Sequence, residues 1–198
     1  MDAVTPQRHD QSKIGLLGGS FNPAHGGHRE ISLAALKLLE LDVVWWLVSP
    51  GNPLKDPAAY APYDARMAQA QRVADHHRIV VSNFEQRKDL HYTVDTLETL
   101  GALWPQMQFV WLMGADSLAG FHRWREWERI WRLAPIAVFS RPGDEDAAET
   151  SEAGKRFAAF RLDERDAASL ADREPPAWVF LRATANPVSS TALRERAG

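Results

Sequence analysis

No cysteine occurs anywhere in the 198 residues. A disulfide scaffold, a thiolate nucleophile and a cysteine-based zinc or iron–sulfur centre are therefore excluded. Long apolar runs are missing as well. Stretches such as Val43–Val48 are too short to cross a bilayer, and residues 1–13, MDAVTPQRHDQSK, lack the apolar segment of a secretory signal. The expectation is a cytoplasmic chain with no membrane partner and a disordered tail over residues 1–12. An excess of one charge is also absent: 23 Lys and Arg face 26 Asp and Glu, a net charge of −3. That balance disfavours a polymeric nucleic-acid partner, whose binders carry a basic footprint. What is plentiful is apolar matter, 45% of residues with eight Trp and eight Phe, enough for one well-filled domain over residues 13–198.

Short β-like runs alternate with helical spacing. Ile14–Gly18, Asp42–Val48, Arg78–Ser82, Gln108–Met113 and Ile136–Ser140 read as strands apolar on both faces, the signature of strands buried between helix layers. Arg29–Leu39, Tyr63–Asp75, Val94–Leu103 and Arg125–Leu133 show helical periodicity between them. Alternation of this kind predicts an α/β fold, a doubly wound, Rossmann-like parallel sheet with right-handed crossovers. After Pro142 the texture changes: an acidic run at 143–153, two short helices, a strand near Trp178–Leu181 and a last helix from about Ser190 make a small, irregular C-terminal part.

Ligands of open parallel sheets bind beyond the C-terminal strand edges, at the topological switch point. The segment after the first strand, Gly18-Gly19-Ser20-Phe21-Asn22-Pro23-Ala24-His25-Gly26-Gly27-His28, is therefore the first candidate site. It matches neither G-x-x-x-x-G-K-[ST] nor G-x-G-x-x-G, so a P-loop and a conventional dinucleotide redox site are disfavoured. It instead supplies glycines that admit close backbone approach and two imidazoles at the opening of a helix, where unsatisfied N–H groups attract anions. Polyphosphate binding is the favoured reading; a pair of capping or metal-binding histidines is the alternative, although further zinc ligands are not evident. Near the C-terminus, Val188-Ser189-Ser190-Thr191-Ala192-Leu193-Arg194 places hydroxyls at a helix start with a guanidinium one turn on. One hydroxyl is explained by N-capping alone; the group together makes a second anion site.

Taken together, Gly18–Pro23, His25-x-Gly27-His28 and Ser189-Ser190-Thr191-x-x-Arg194 resemble the nucleotidylyltransferase superfamily. Ser49–Lys55, His91–Leu97 and Met113–Leu118 with Trp124 beyond narrow the resemblance to the bacterial nicotinate-nucleotide adenylyltransferases, in matching order over roughly residues 13–196. The resemblance implies transfer of the adenylyl group of ATP to nicotinate mononucleotide, releasing pyrophosphate, with Mg²⁺ carried by ATP and no protein-held metal. It also implies that Gly18, Gly19, Ser20 and Phe21 line the ATP site with His25 and His28, the latter closest to the transition state. Ser190, Thr191 and the catalytic Arg194 would hold the distal phosphates, with Lys55 as a mobile cation. Tyr92, Thr93 and Trp124 would form the pyridine pocket and Asp116 would meet a ribose hydroxyl.

Each of these residues has a plainer alternative. Lys55 can be a solvated surface lysine, Thr93 an N-cap, and Asp116 a helix cap. Trp124, Trp127 and Trp131 form a three-and-four stripe of the kind that usually packs in a core. The pattern departs from the family at Asn22, where many relatives have Asp, and at Val188, where Ile is usual. Phosphopantetheine or nicotinamide mononucleotide as acceptor, a non-catalytic nucleotide sensor, and a single-stranded nucleic-acid binder are the rival functions. The sequence leaves the oligomeric state open, a homo-oligomer included.

Overall fold

The computed structural model describes residues 12–51, 60–140 and 146–182. Seven strands form one sheet: β1 (Lys13–Gly19), β2 (Val43–Val48), β3 (Ile79–Ser82), β4 (Gln108–Gly114), β5 (Ile136–Phe139), β6 (Arg161–Leu162) and β7 (Trp178–Leu181). Their order is β3-β2-β1-β4-β5-β7-β6, with every neighbouring pair parallel. The order reverses between β1 and β4, so the switch point opens beyond Gly19 and Gly114. The expected doubly wound α/β architecture is the one observed.

Eight helices accompany the sheet among the described residues: α1 (Gly26–Leu38), α2 (Tyr63–Ala74), α3 (Phe84–Lys88), α4 (Thr93–Leu103), α5 (Ala115–Gly120), α6 (Trp127–Leu133), α7 (Ala147–Thr150) and α8 (Glu152–Arg156). Three 3₁₀ turns add to them, at Phe121–Arg123, Ala158–Phe160 and Glu164–Asp172. None of the described helices is long and apolar enough to cross a membrane.

Period-two alternation divides the strands between two cores. Leu17, Trp46, Leu112, Ala137 and Val179 pack with Ile31, Ala35 and Leu36 of α1, with Ala70 of α2, and with Leu170. Leu16, Trp45, Trp111, Ile136 and Trp178 face the other way, onto Leu97 and Leu100 of α4, Leu118 of α5 and Trp131 of α6. Register keeps the second row in line: Leu16 pairs with Trp45 and Trp111, Trp111 with Ile136, and Ile136 with Trp178. Trp111 also explains a glycine. A Cβ on Gly18 would lie 2.4 Å from the indole Cη2, so the ring occupies the space that a side chain at 18 would need.

Several boundaries and elements differ from the sequence reading. The first helix starts at Gly26 rather than Arg29, because His25 caps it. The helix expected over Arg125–Leu133 begins only at Trp127, since Glu126 takes a left-handed backbone (φ 50°). The helices α3 and α5, of five and six residues, lie below the length that periodicity detects. The C-terminal part is more ordered than expected: β7 joins the sheet beside β5, and the two-residue β6 forms its edge. The helix expected from Ser190 lies outside the described residues.

Candidate functional site

The β1–α1 connection is built from interlocked rings. Phe21 is 1% exposed and sits at φ 47°, a region bulky side chains rarely occupy and which clusters at functional sites. Its ring stacks on Trp46 at 5.0 Å between centroids and meets His28 at 4.7 Å. The Trp46 indole N–H donates to Ser32 Oγ at 2.7 Å, and that hydroxyl donates to the His28 carbonyl at 2.8 Å. The aromatic floor and the first turn of α1 are thereby fixed to one another.

The two histidines form a reciprocal cap. Gly27 N–H donates to His25 Nδ1 at 3.1 Å, and His25 N–H donates to His28 Nδ1 at 3.2 Å. Their rings lie 3.9 Å apart. An Nδ1 that accepts an N–H must carry its lone pair, so in the neutral ring the proton sits on Nε2. Capping and ligand binding are therefore compatible: one nitrogen of each ring holds the helix start, and the tautomer so selected makes the other a donor, as a phosphate oxygen requires.

Arg66, which the sequence reading missed, ties this loop to its neighbour. It is 2% exposed, on the buried 66/70/74 stripe of α2. Its guanidinium donates to the carbonyls of Ser20 (2.6 Å), Ser49 (2.9 Å), Pro50 (3.1 Å) and Ala61 (3.1 Å). Tyr60 and Tyr63 lie against it, with Cζ 5.5 and 5.1 Å from their ring centres. Burial lowers its pKa, opposed by the two tyrosines. Two further ties join the same segments: Ser49 N–H donates to the Gly19 carbonyl at 2.9 Å, and Ala61 N–H to Asn22 Oδ1 at 3.1 Å. The available signal was an arginine in step with two buried alanines.

Tyr92 and Trp124 pack against the core on the opposite face of the sheet from α1, and Thr93 adjoins Tyr92. Tyr92 is the residue that caps α4, without a side-chain capping bond, and Thr93 is the first helical residue. The alternative of Thr93 as N-cap is thus corrected: the extended backbone of Tyr92 takes that position. Arg125 Cζ lies 4.6 Å from the centre of the Tyr92 ring, and its Nη1 is 3.8 Å from Asp95. Trp124 is half-buried and outside α6, lying 4.7 Å from Phe121 and edge-on to Trp111 at 6.4 Å. Within the stripe, Trp131 is fully buried core. His122 Nδ1 is buried with no hydrogen-bond partner among the described residues.

Asp116 is exposed in the first turn of α5, just past the end of β4, where an acidic residue also suits the helix dipole. Gly18 and Gly19 therefore end β1, Ser20, Phe21, His25 and His28 follow it, and Asp116 follows β4, all at the switch point. Lys55, Ser190, Thr191 and Arg194 lie outside the described residues.

A cytidylyltransferase-like family model matches residues 16–196. The chain belongs to the cytidylyltransferase-like family. A relative from Methylorubrum extorquens, named a probable nicotinate-nucleotide adenylyltransferase, is 52% identical over 93% of this chain and 100% of its own length. One of the same name from Roseobacter denitrificans is 46% identical over 98% of this chain and 96% of its own. Among solved structures, Plasmodium falciparum nicotinic acid mononucleotide adenylyltransferase complexed with NaAD superposes with a TM-score of 0.68 at 18% identity, covering 93% of this chain and 83% of that one. At that identity the likeness speaks for the fold alone.

Proposed function

We infer that this chain transfers the adenylyl group of ATP to nicotinate mononucleotide, forming deamido-NAD and pyrophosphate in NAD biosynthesis. The observation that carries this reading is the reciprocal histidine cap at the start of α1, in a chain whose full-length relatives bear that name. A phosphate oxygen of the mononucleotide attacks the α-phosphorus of ATP; the new P–O bond forms as the bond to the β-phosphate bridging oxygen breaks, and pyrophosphate takes that electron pair. No protein nucleophile is needed, so positioning and charge stabilisation are the protein's share.

In this reading His25 and His28 donate from Nε2 to the ATP phosphates, with His28 nearer the developing charge. Gly18, Gly19, Ser20 and Phe21 form the floor on which the nucleotide lies. Ser190, Thr191 and Arg194 hold the β- and γ-phosphates, and Lys55 reaches them from the segment after β2. Asp116 accepts from a ribose hydroxyl. Trp124 stacks on the pyridine ring, while Tyr92 and Thr93 meet its carboxylate at the start of α4, where a helix terminus favours an anion. A divalent cation, Mg²⁺ in this reading, suits the donor set: the side chains opening α1 offer N–H groups to phosphate, so the ion would be held by phosphate oxygens and water and would neutralise the leaving pyrophosphate. A cytoplasmic setting, where ATP is available, goes with this chemistry.

The deciding experiment is pyrophosphate release with product identification, offering ATP together with nicotinate mononucleotide, nicotinamide mononucleotide or phosphopantetheine. Deamido-NAD as the preferred product is the expected result. Faster turnover of either other acceptor, or none with all three, overturns the assignment.

A further inference from the structure

Glu85 is the second residue of α3 and is 6% exposed. No ion pair reaches it among the described residues. Its Oε1 lies 2.9 Å from Thr96 Oγ1, a hydroxyl on a fully buried residue of α4. The same Oγ1 is 3.2 Å from the carbonyl oxygen of Tyr92, which also accepts the Thr96 backbone N–H at 3.1 Å. A threonine hydroxyl has one proton, and here two acceptors compete for it. An ionised Glu85 can only accept, so the hydroxyl serves either the carboxylate or Tyr92. A protonated Glu85 donates to Thr96 Oγ1, which then donates onward to Tyr92, and both bonds form together.

We propose that Glu85 is a positioning residue for the pyridine end of the site: its protonation state decides whether Thr96 holds the Tyr92 carbonyl, and so how firmly the first turn of α4 presents Tyr92 and Thr93 to the mononucleotide. The role rests on the reading of those two residues as pyridine contacts. Burial pushes the Glu85 carboxyl up to about 7, against the pull of the Thr96 hydrogen bond and of His91, which places the exchange near neutrality. The titratable groups facing Glu85 are His91, from the connection into α4, and Tyr63, from α2. The Tyr63 phenol, pushed up to about 12 chiefly by burial, stays neutral through this range. The His91 ring lies 3.1 Å from Asp89, and replacing it isolates the part played by Glu85.

The test is KM and kcat for nicotinate mononucleotide and for ATP between pH 6 and 8.5 in wild type, Glu85→Gln and His91→Gln. A glutamine amide donates to Thr96 Oγ1 as the protonated acid does. The KM for the mononucleotide in wild type should therefore rise about three- to tenfold relative to Glu85→Gln across that range, the worth of one hydrogen bond. The KM for ATP and kcat should run parallel in the two, and His91→Gln should keep the wild-type rise. Parallel mononucleotide profiles, or a rise abolished by His91→Gln, overturn the proposal. Deamido-NAD formation by wild type at pH 6 checks the functional reading separately. Its absence removes the pyridine role but leaves the relay decidable by infrared spectroscopy: a carboxyl band titrating near neutrality, lost in Glu85→Gln and shifted in Thr96→Val, is expected, and no such band refutes the relay.

Discussion

Two buried ionisable groups stand under the two halves of the site, and they behave oppositely. Arg66 lies under the β1–α1 and β2–α2 connections, its guanidinium spread over four carbonyls. Burial lowers its pKa, yet arginine starts so high that it remains a cation throughout the physiological range. Glu85 lies under α4 with one hydroxyl bonded to its carboxyl and no ion pair among the described residues, and burial brings it to the middle of that range. The β1–α1 side thus rests on a fixed charge, whereas the α4 side, in the proposed relay, rests on one that switches. A planar fork with five donors can satisfy several carbonyls and keep its charge, but an acid without a cation beside it yields its charge instead.

The comparison can be broken most sharply on the β1–α1 side. His28→Ala should lower kcat by roughly 10²–10³-fold, the scale for losing a preorganised donor, while costing only about 1 kcal/mol of stability through the broken cap. Wild-type turnover in that variant would detach the histidine cap from the chemistry. Arg66→Met should destabilise the fold by about 2–4 kcal/mol, because several buried carbonyls lose their donor, and the loss should be the same at pH 5 and pH 8. Denaturant melts at the two pH values read both points; a pH-dependent gap would mean that Arg66 does not act as a permanent charge.

Glu85→Gln sharpens the other side. A carboxyl raised from 4.5 to about 7 contributes stability that is full below pH about 4.5 and lost as pH climbs through about 7, on the order of 3 kcal/mol at most. The glutamine variant should therefore match wild type near pH 5 and become the more stable protein by pH 8. A stability gap that does not change with pH would place Glu85 among ordinary carboxylates. Trp124→Ala should have the smallest effect on folding, since the ring is half-buried, and should raise the KM for nicotinate mononucleotide about two- to tenfold, a stacked ring being worth about 0.5–1.5 kcal/mol. Equal damage to ATP and mononucleotide kinetics would return Trp124 to the core stripe.

The sequence was most legible where the physics is periodic. Six of the seven strands are runs whose alternate residues fill two cores, so Leu16 and Leu17 alone declare both faces covered. Short elements escaped: α3 has five residues and β6 two, fewer than a period needs to show itself. In the site, spacing found the histidines but did not reveal that each Nδ1 is committed to a backbone N–H, because tautomer choice is made by geometry. Arg66 and Glu85 were illegible for a related reason. Charged residues on short or surface-facing helices ordinarily belong to solvent, and only the packing of α2 and α3 against the sheet shows that these two do not.

The indole of Trp111, seated in the gap that Gly18 leaves open, also constrains how this chain can drift over generations. Neither position can change alone without a collision or a void, so a viable route must alter both at once or pass through a crippled ancestor. Gly18→Ala joined with Trp111→Phe should outlast either single replacement. If the two costs merely add, their histories are independent.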